Sequence, residues 1–274
     1  MLGQDLTAFL SPRNEIVPAH LPGFDITRPG VLAPAIASTG PEVVIHAAAF
    51  TAVDECERQP DVAFRVNGEG TRFVAQACRE AGLPMLYVST DYVFDGEKPA
   101  PYAESDAPNP LGVYGRSKLE GEKHVRERLE RYWIVRTSWL FGPHGKNFVR
   151  TILERARAGT PLRVVDDQIG APTYTVHLAA ALEAIITRGE YGIYHATSQG
   201  SCSWYEFART IVREAGLDES LVTPIPTSES DAPTRRPRNS RLAPTHLEQQ
   251  GLAPLPPWQE GLRGYLLRVG VIQN

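Results

Sequence analysis

The stretch Pro84-Met85-Leu86-Tyr87-Val88-Ser89 constrains this chain more than any other. It is apolar and short, and Ala81-Gly82 precedes it, so it reads as a strand covered on both faces. Such strands belong to parallel sheets, whose crossovers need helices. The rest of this half alternates in that way. Glu42 to Ala49 reads as a strand, Asp61 to Ala81 as a helix capped by Gly82, and the segment around Tyr114 and Lys118 as a further helix. Tyr132 to Gly142 reads as a strand running into a loop, and Asn147 to Ala158 as a helix. The fold class is therefore α/β, a Rossmann-like doubly wound parallel sheet.

Other segments are read from local chemistry. Met1 to Leu10 reads as a helix already under way, and Asn14 to Val17 as the start of a strand. Ser203-Trp204-Tyr205-Glu206 is a capping box opening a helix to Ala215, with Gly216 after it. Ser220 to Pro257 is rich in proline and polar residues and promises little regular structure. The expected division is a larger domain over 1–150, which holds most of the sheet, and a smaller lobe over 151–274, interleaved with the last strands of the sheet.

Composition excludes several classes of function. A net charge of -4 over 274 residues and an isoelectric point near 6.0 leave no nucleic-acid footprint. No apolar run suits a membrane span, and the N-terminus has no secretory pattern. Cys56, Cys78 and Cys202 are odd in number, far apart and without metal-ligand spacing. They read as reduced thiols of a cytoplasmic protein.

The chemistry gathers where the apolar strand ends, in Ser89-Thr90-Asp91, because ligands of open α/β sheets bind at the strands' carboxyl ends. Downstream, Tyr114 stands four residues before Lys118, so both side chains leave one helix face. A free phenol, with a pKa of about 10, is a poor acid at neutral pH, and a neighbouring ammonium is expected to lower it. A phenol so tuned can move a proton to a carbonyl oxygen.

Longer blocks extend this pattern: His46 to Asp54, Val66-Asn67, Ser89-Thr90-Asp91-Tyr92-Val93-Phe94-Asp95-Gly96 and Asn109 to Gly115 with Lys118. Arg136-Thr137-Ser138-Trp139, Gly170-Ala171-Pro172-Thr173 after Asp167-Gln168, and Arg236-Pro237 with Asn239-Ser240 continue it. On these blocks, over nearly its whole length, the chain resembles the dTDP-4-dehydrorhamnose reductases of the extended short-chain dehydrogenase/reductase superfamily. The resemblance implies NADPH- or NADH-dependent reduction of the C4 ketone of dTDP-4-dehydro-L-rhamnose, a step towards cell-surface polysaccharide. Tyr114 would give the proton, Lys118 would lower its pKa and hold the nicotinamide ribose, and Thr90 would donate to the same carbonyl. Leu2, Asp25, Ile26, Ala49, Phe50, Thr51 and Val88 would join Tyr114 and Lys118 in binding the cofactor. Thr90, Asp91 and Trp139 would hold the dTDP-keto-deoxysugar, and a homodimer is compatible with the resemblance.

Several points stay open at this stage. Asn67 resembles the asparagine that supports the lysine, or is a locally satisfied helix residue. Trp139 is a substrate contact or core. The basic run Arg235, Arg236 and Arg238 is a phosphate contact, a structural element or solvated surface. Magnesium is not readable. Only Gly3 remains of the usual glycine turn, with Leu2 among its last positions, which leads us to expect a start upstream of Met1; weak dinucleotide binding is the alternative. Pro18 to Leu21 lacks the acidic residue that selects NAD, a lean towards NADPH or dual use. The competing functions are a non-catalytic regulatory subunit of this fold and a reductase of another dTDP-4-keto-deoxysugar. A dehydratase would need a second carboxylate after Asp91, where Tyr92 stands.

Overall fold

The computed structural model describes residues 1–273. Four parallel strands form its main sheet, in the order Val44–His46, Met85–Thr90, Tyr132–Thr137 and Gly192–His195. Every residue of Met85–Thr90 is buried, and side-chain alternation divides that strand between two cores. Leu86 and Val88 pack with the helices Leu2–Leu10 and Thr175–Arg188. Met85 and Tyr87 pack with the helices Thr71–Ala81 and Val113–Arg128. The sheet is thus covered on both faces, as the buried residues of its central strand require.

Two strands differ from expectation. Asn14 to Val17 forms no strand, and Val17 is exposed. A strand exists only through a neighbour that pairs its backbone, and no described strand pairs with this segment. The strand expected over Glu42 to Ala49 contracts to Val44–His46, which has Met85–Tyr87 on one side and no described strand on the other.

Helical readings hold with one refinement. The segment from Pro60 to Ala81 contains a π turn over Phe64–Gly70, and Gly82 ends it in the left-handed region at φ 65°. The capping box is present: Glu206 N–H donates to Ser203 Oγ at 3.0 Å, and Ser203 N–H to Glu206 Oε2 at 2.8 Å. A second core gathers the helices Phe148–Arg157, Trp204–Glu214 and Trp258–Arg268 around the paired strands Leu162–Val165 and Val222–Ile225. Cys56, Cys78 and Cys202 are buried thiols. No helix among the described residues is long and apolar enough to cross a membrane.

Candidate active site

The helix Val113–Arg128 carries the tyrosine and lysine, and its start is fixed from outside. Val113 N–H donates to Glu57 Oε1 at 2.6 Å, so a carboxylate meets the positive end of the helix. Gly115 lets the first turn lie directly against the Tyr92 backbone, where any Cβ would collide. Tyr114 therefore stands beside the carboxyl end of Met85–Thr90, with its ring edge-on to Tyr92 at 5.6 Å.

Lys118 lies one turn further on and is 2% exposed. Its Nζ donates to the Val88 carbonyl at 2.7 Å. Burial depresses its pKa to about 7, partly opposed by Glu122. The expectation that this ammonium lowers the Tyr114 pKa is not met. Burial raises the Tyr114 pKa, with the Thr90 hydroxyl opposing and Asp91 reinforcing the rise. Enclosing a phenolate costs more here than its neighbours return.

The Thr90 hydroxyl donates to Asp91 Oδ1 at 2.9 Å and accepts from Tyr92 N–H at 3.2 Å, which holds it at the end of the strand. Asp91 is 2% exposed; burial pushes its pKa up to about 6, against hydrogen bonds from Ser240 and Thr90. Its Oδ2 has no partner.

Asn67 settles as a brace. It is fully buried on the π turn and spans two elements. Its Oδ1 accepts from Phe50 N–H at 2.8 Å, while its Nδ2 donates to Phe50 O at 3.1 Å and Ser117 Oγ at 3.0 Å. Phe50 and Tyr114 pack on one small cluster of Cys56, Ala63 and Val113. Ala49 is half-buried and Thr51 exposed on the same loop.

Elsewhere, the side chain of Leu2 turns into the core, which leaves its amide, at the first turn of Leu2–Leu10, for a ligand. Gly3 faces open space. Ile26 packs against Gly70 of the π turn. Asp25 Oδ1 accepts from Thr27 N–H at 3.0 Å and Thr27 Oγ1 at 2.7 Å, and these bonds hold its pKa below the usual range. Val88 contributes its carbonyl to Lys118.

Trp139 sits at φ 48°, the one non-glycine residue with positive φ among those described. Such a conformation costs about 1–3 kcal/mol and persists only where the surroundings impose it. Here Trp204 stacks on the indole at 3.5 Å with 9° between planes, and Gly170 packs against it too closely for any Cβ. Trp204 reads from sequence only as part of a capping box, because it lies far from Trp139 along the chain. The arginine run divides. Arg236 donates from one nitrogen to Asp54 Oδ1 and Oδ2 at 2.9 and 3.0 Å, whereas Arg235 and Arg238 are exposed. Glu122 escaped notice, although it continues the series Tyr114, Lys118 at the same spacing.

Among the described residues, no three His, Cys, Asp or Glu side chains are grouped to hold a metal. A cavity of about 440 Å³ lies beside Asp166, Cys202, Tyr205, Arg209 and Trp258, and none of Thr90, Tyr114 and Lys118 lines it. The site is marked by its chemistry rather than by that cavity.

The family described as the RmlD substrate binding domain matches residues 1–270. The dTDP-4-dehydrorhamnose reductase of Sinorhizobium fredii (strain NBRC 101917 / NGR234) is 38% identical over 268 residues, 94% of this chain and 90% of the relative. The dTDP-4-keto-6-deoxy-D-glucose reductase of Streptomyces niveus is 38% identical over 264 residues, 96% of this chain and 92% of that one. The crystal structure of dTDP-4-dehydrorhamnose reductase from Bacillus anthracis str. Ames in complex with NADP superposes with a TM-score of 0.94 at 38% identity, covering 97% of this chain and 95% of that one.

Proposed function

This chain belongs to the RmlD substrate binding domain family, and from that membership we propose that Tyr114, Lys118 and Thr90 carry its reaction. The protein is an NAD(P)H-dependent oxidoreductase that reduces a dTDP-keto sugar. When bound, the nicotinamide cofactor supplies hydride to C4 of the sugar. The residues at the sheet's edge suit such a cofactor: open space at Gly3, the first-turn amides, the small side chains Ala47 to Ala49, and the braced Phe50 backbone.

Tyr114 stays a neutral phenol at physiological pH, which is the form that can give a proton to the carbonyl oxygen. Lys118 supplies positive charge beneath it, at the Val88 carbonyl. Thr90 orients the phenol through its hydroxyl, while Asp91 holds Thr90. The observation that carries this reading is convergence. The Tyr114 ring lies edge-on to Tyr92, two residues after Thr90, and Lys118 bonds the Val88 carbonyl, two residues before it. Asp91 and Trp139 contact the sugar nucleotide, and the protein works in the cytoplasm.

The favoured substrate is dTDP-4-dehydro-L-rhamnose. The Streptomyces niveus relative supports a second reading, in which another keto sugar occupies the same frame. Cofactor oxidation with dTDP-4-keto-6-deoxy sugars differing at single stereocentres separates the two. The L-rhamno ketone should lead by roughly tenfold in kcat/KM, about 1.4 kcal/mol. A different leader supports the second reading, and turnover of none removes both.

A further inference from the structure

Lys118 has a second contact, with a ring. Its Nζ lies 4.0 Å from the centroid of Tyr87. Tyr87 is fully buried and Lys118 nearly so. An ammonium has three N–H donors and needs compensation wherever water is excluded. One donor meets the Val88 carbonyl. The negative face of an aromatic ring supplies part of the rest, and it does so most strongly when desolvated.

The ring is held in place by other groups. His46 stacks on it at 5.4 Å with 22° between planes, and His46 Nε2 lies 3.1 Å from Thr71 Oγ1. The Tyr87 hydroxyl donates to the Lys118 carbonyl at 3.4 Å. Gly121 leaves room for that hydroxyl, where any Cβ would collide.

The charges facing Nζ come from three elements. From its own helix, Glu122 acts; from the two adjoining strands, His46 and Tyr87. Burial and Lys118 press the His46 pKa to about 3, so it is neutral. The Tyr87 phenol is raised by burial and is neutral too. Glu122 is the one anion of the set, and Arg136 already engages both its oxygens.

We infer that Tyr87 is a positioning residue for the reduction, its ring face holding the Lys118 ammonium charged and in place at the end of the strand. This rests on the role given to Lys118 above. Because burial brings Lys118 to a pKa of about 7, the ring decides how much of it is charged near neutrality.

Two variants separate the ring from the hydroxyl: Tyr87→Phe keeps the face, and Tyr87→Leu removes it. Lys118 is titrated by NMR on lysine-labelled protein, with Lys118→Arg assigning its signal, and kcat/KM is followed against pH. In Tyr87→Leu the Lys118 titration should fall by about one pH unit, and the alkaline limb of kcat/KM should fall with it. Tyr87→Phe should stay close to the parent. An unmoved Lys118 titration in Tyr87→Leu overturns the inference. A moved titration with an unmoved alkaline limb supports the ring contact and overturns the catalytic role of Lys118. Should Tyr87→Leu fail to fold, replacing Tyr87 by pentafluorophenylalanine keeps the shape and depletes the ring face, and the same downward shift is expected.

Discussion

Arg136 Nε and Nη2 meet Glu122 Oε1 and Oε2 side by side, at 2.9 and 2.7 Å, with both side chains 2% exposed. Ser89 Oγ adds a third bond to Glu122 at 2.5 Å. The group welds the catalytic helix to two strands of the sheet, one turn beyond Lys118. Removing one partner of a buried pair strands the other charge, at a cost of about 3–5 kcal/mol. Arg136→Met should therefore lose about that much stability in urea unfolding. The double variant Glu122→Leu/Arg136→Met should recover most of it. A double variant no more stable than the single one means that the pair is not the unit.

In the proposed reduction the Tyr114 phenol gives the proton, and Tyr114→Phe removes that phenol while keeping the ring among Cys56, Ala63 and Val113. General acid catalysis accounts for about 10²–10⁴ in rate. The kcat of Tyr114→Phe should fall within that range, while the affinity for NADPH, read by fluorescence, changes less than about threefold. An unchanged kcat assigns the proton to another group.

Much of the fold could be read because it is written locally. Met85–Thr90 announces itself by its apolar run from Met85 to Val88, and the helix after Ser203 by a hydrogen-bonded box four residues long. Asn14 to Val17 misled because a strand is a property of two segments, and the sequence displays one at a time. The site divides in the same way. Spacing places Tyr114 and Lys118 on one helix face, yet the sign of a pKa shift depends on depth, which spacing does not contain. Burial therefore reversed the expected direction for Tyr114. Glu122 was within reach, eight residues after Tyr114 on the same face, and Tyr87 alternates with Met85 and Ser89 on the strand. Trp204 and Arg236 stand out in the sequence as part of a capping box and of a basic run, but they lie far along the chain from Trp139 and Asp54, and no spacing shows what they touch.

Lys118 makes stability depend on pH in a direction unusual for lysine. Its pKa in the fold is about 7, because burial penalises the ammonium more than Glu122 favours it. An unfolded chain keeps that proton to a pH of about 10.4. Between these values the unfolded state binds the additional proton, so this group makes stability rise with pH, by up to about 1.4 kcal/mol per unit. Below a pH of about 7 both states are protonated, and the full cost of burying the charge applies. Lys118→Met removes the charge and keeps most of the apolar stem. It should be more stable than the parent at about pH 6, with the advantage shrinking steadily towards about pH 10. Urea unfolding across that range reads the difference directly. A constant difference would mean that Lys118 titrates as an ordinary lysine, and that its bond to Val88 and its place over Tyr87 fully offset its burial.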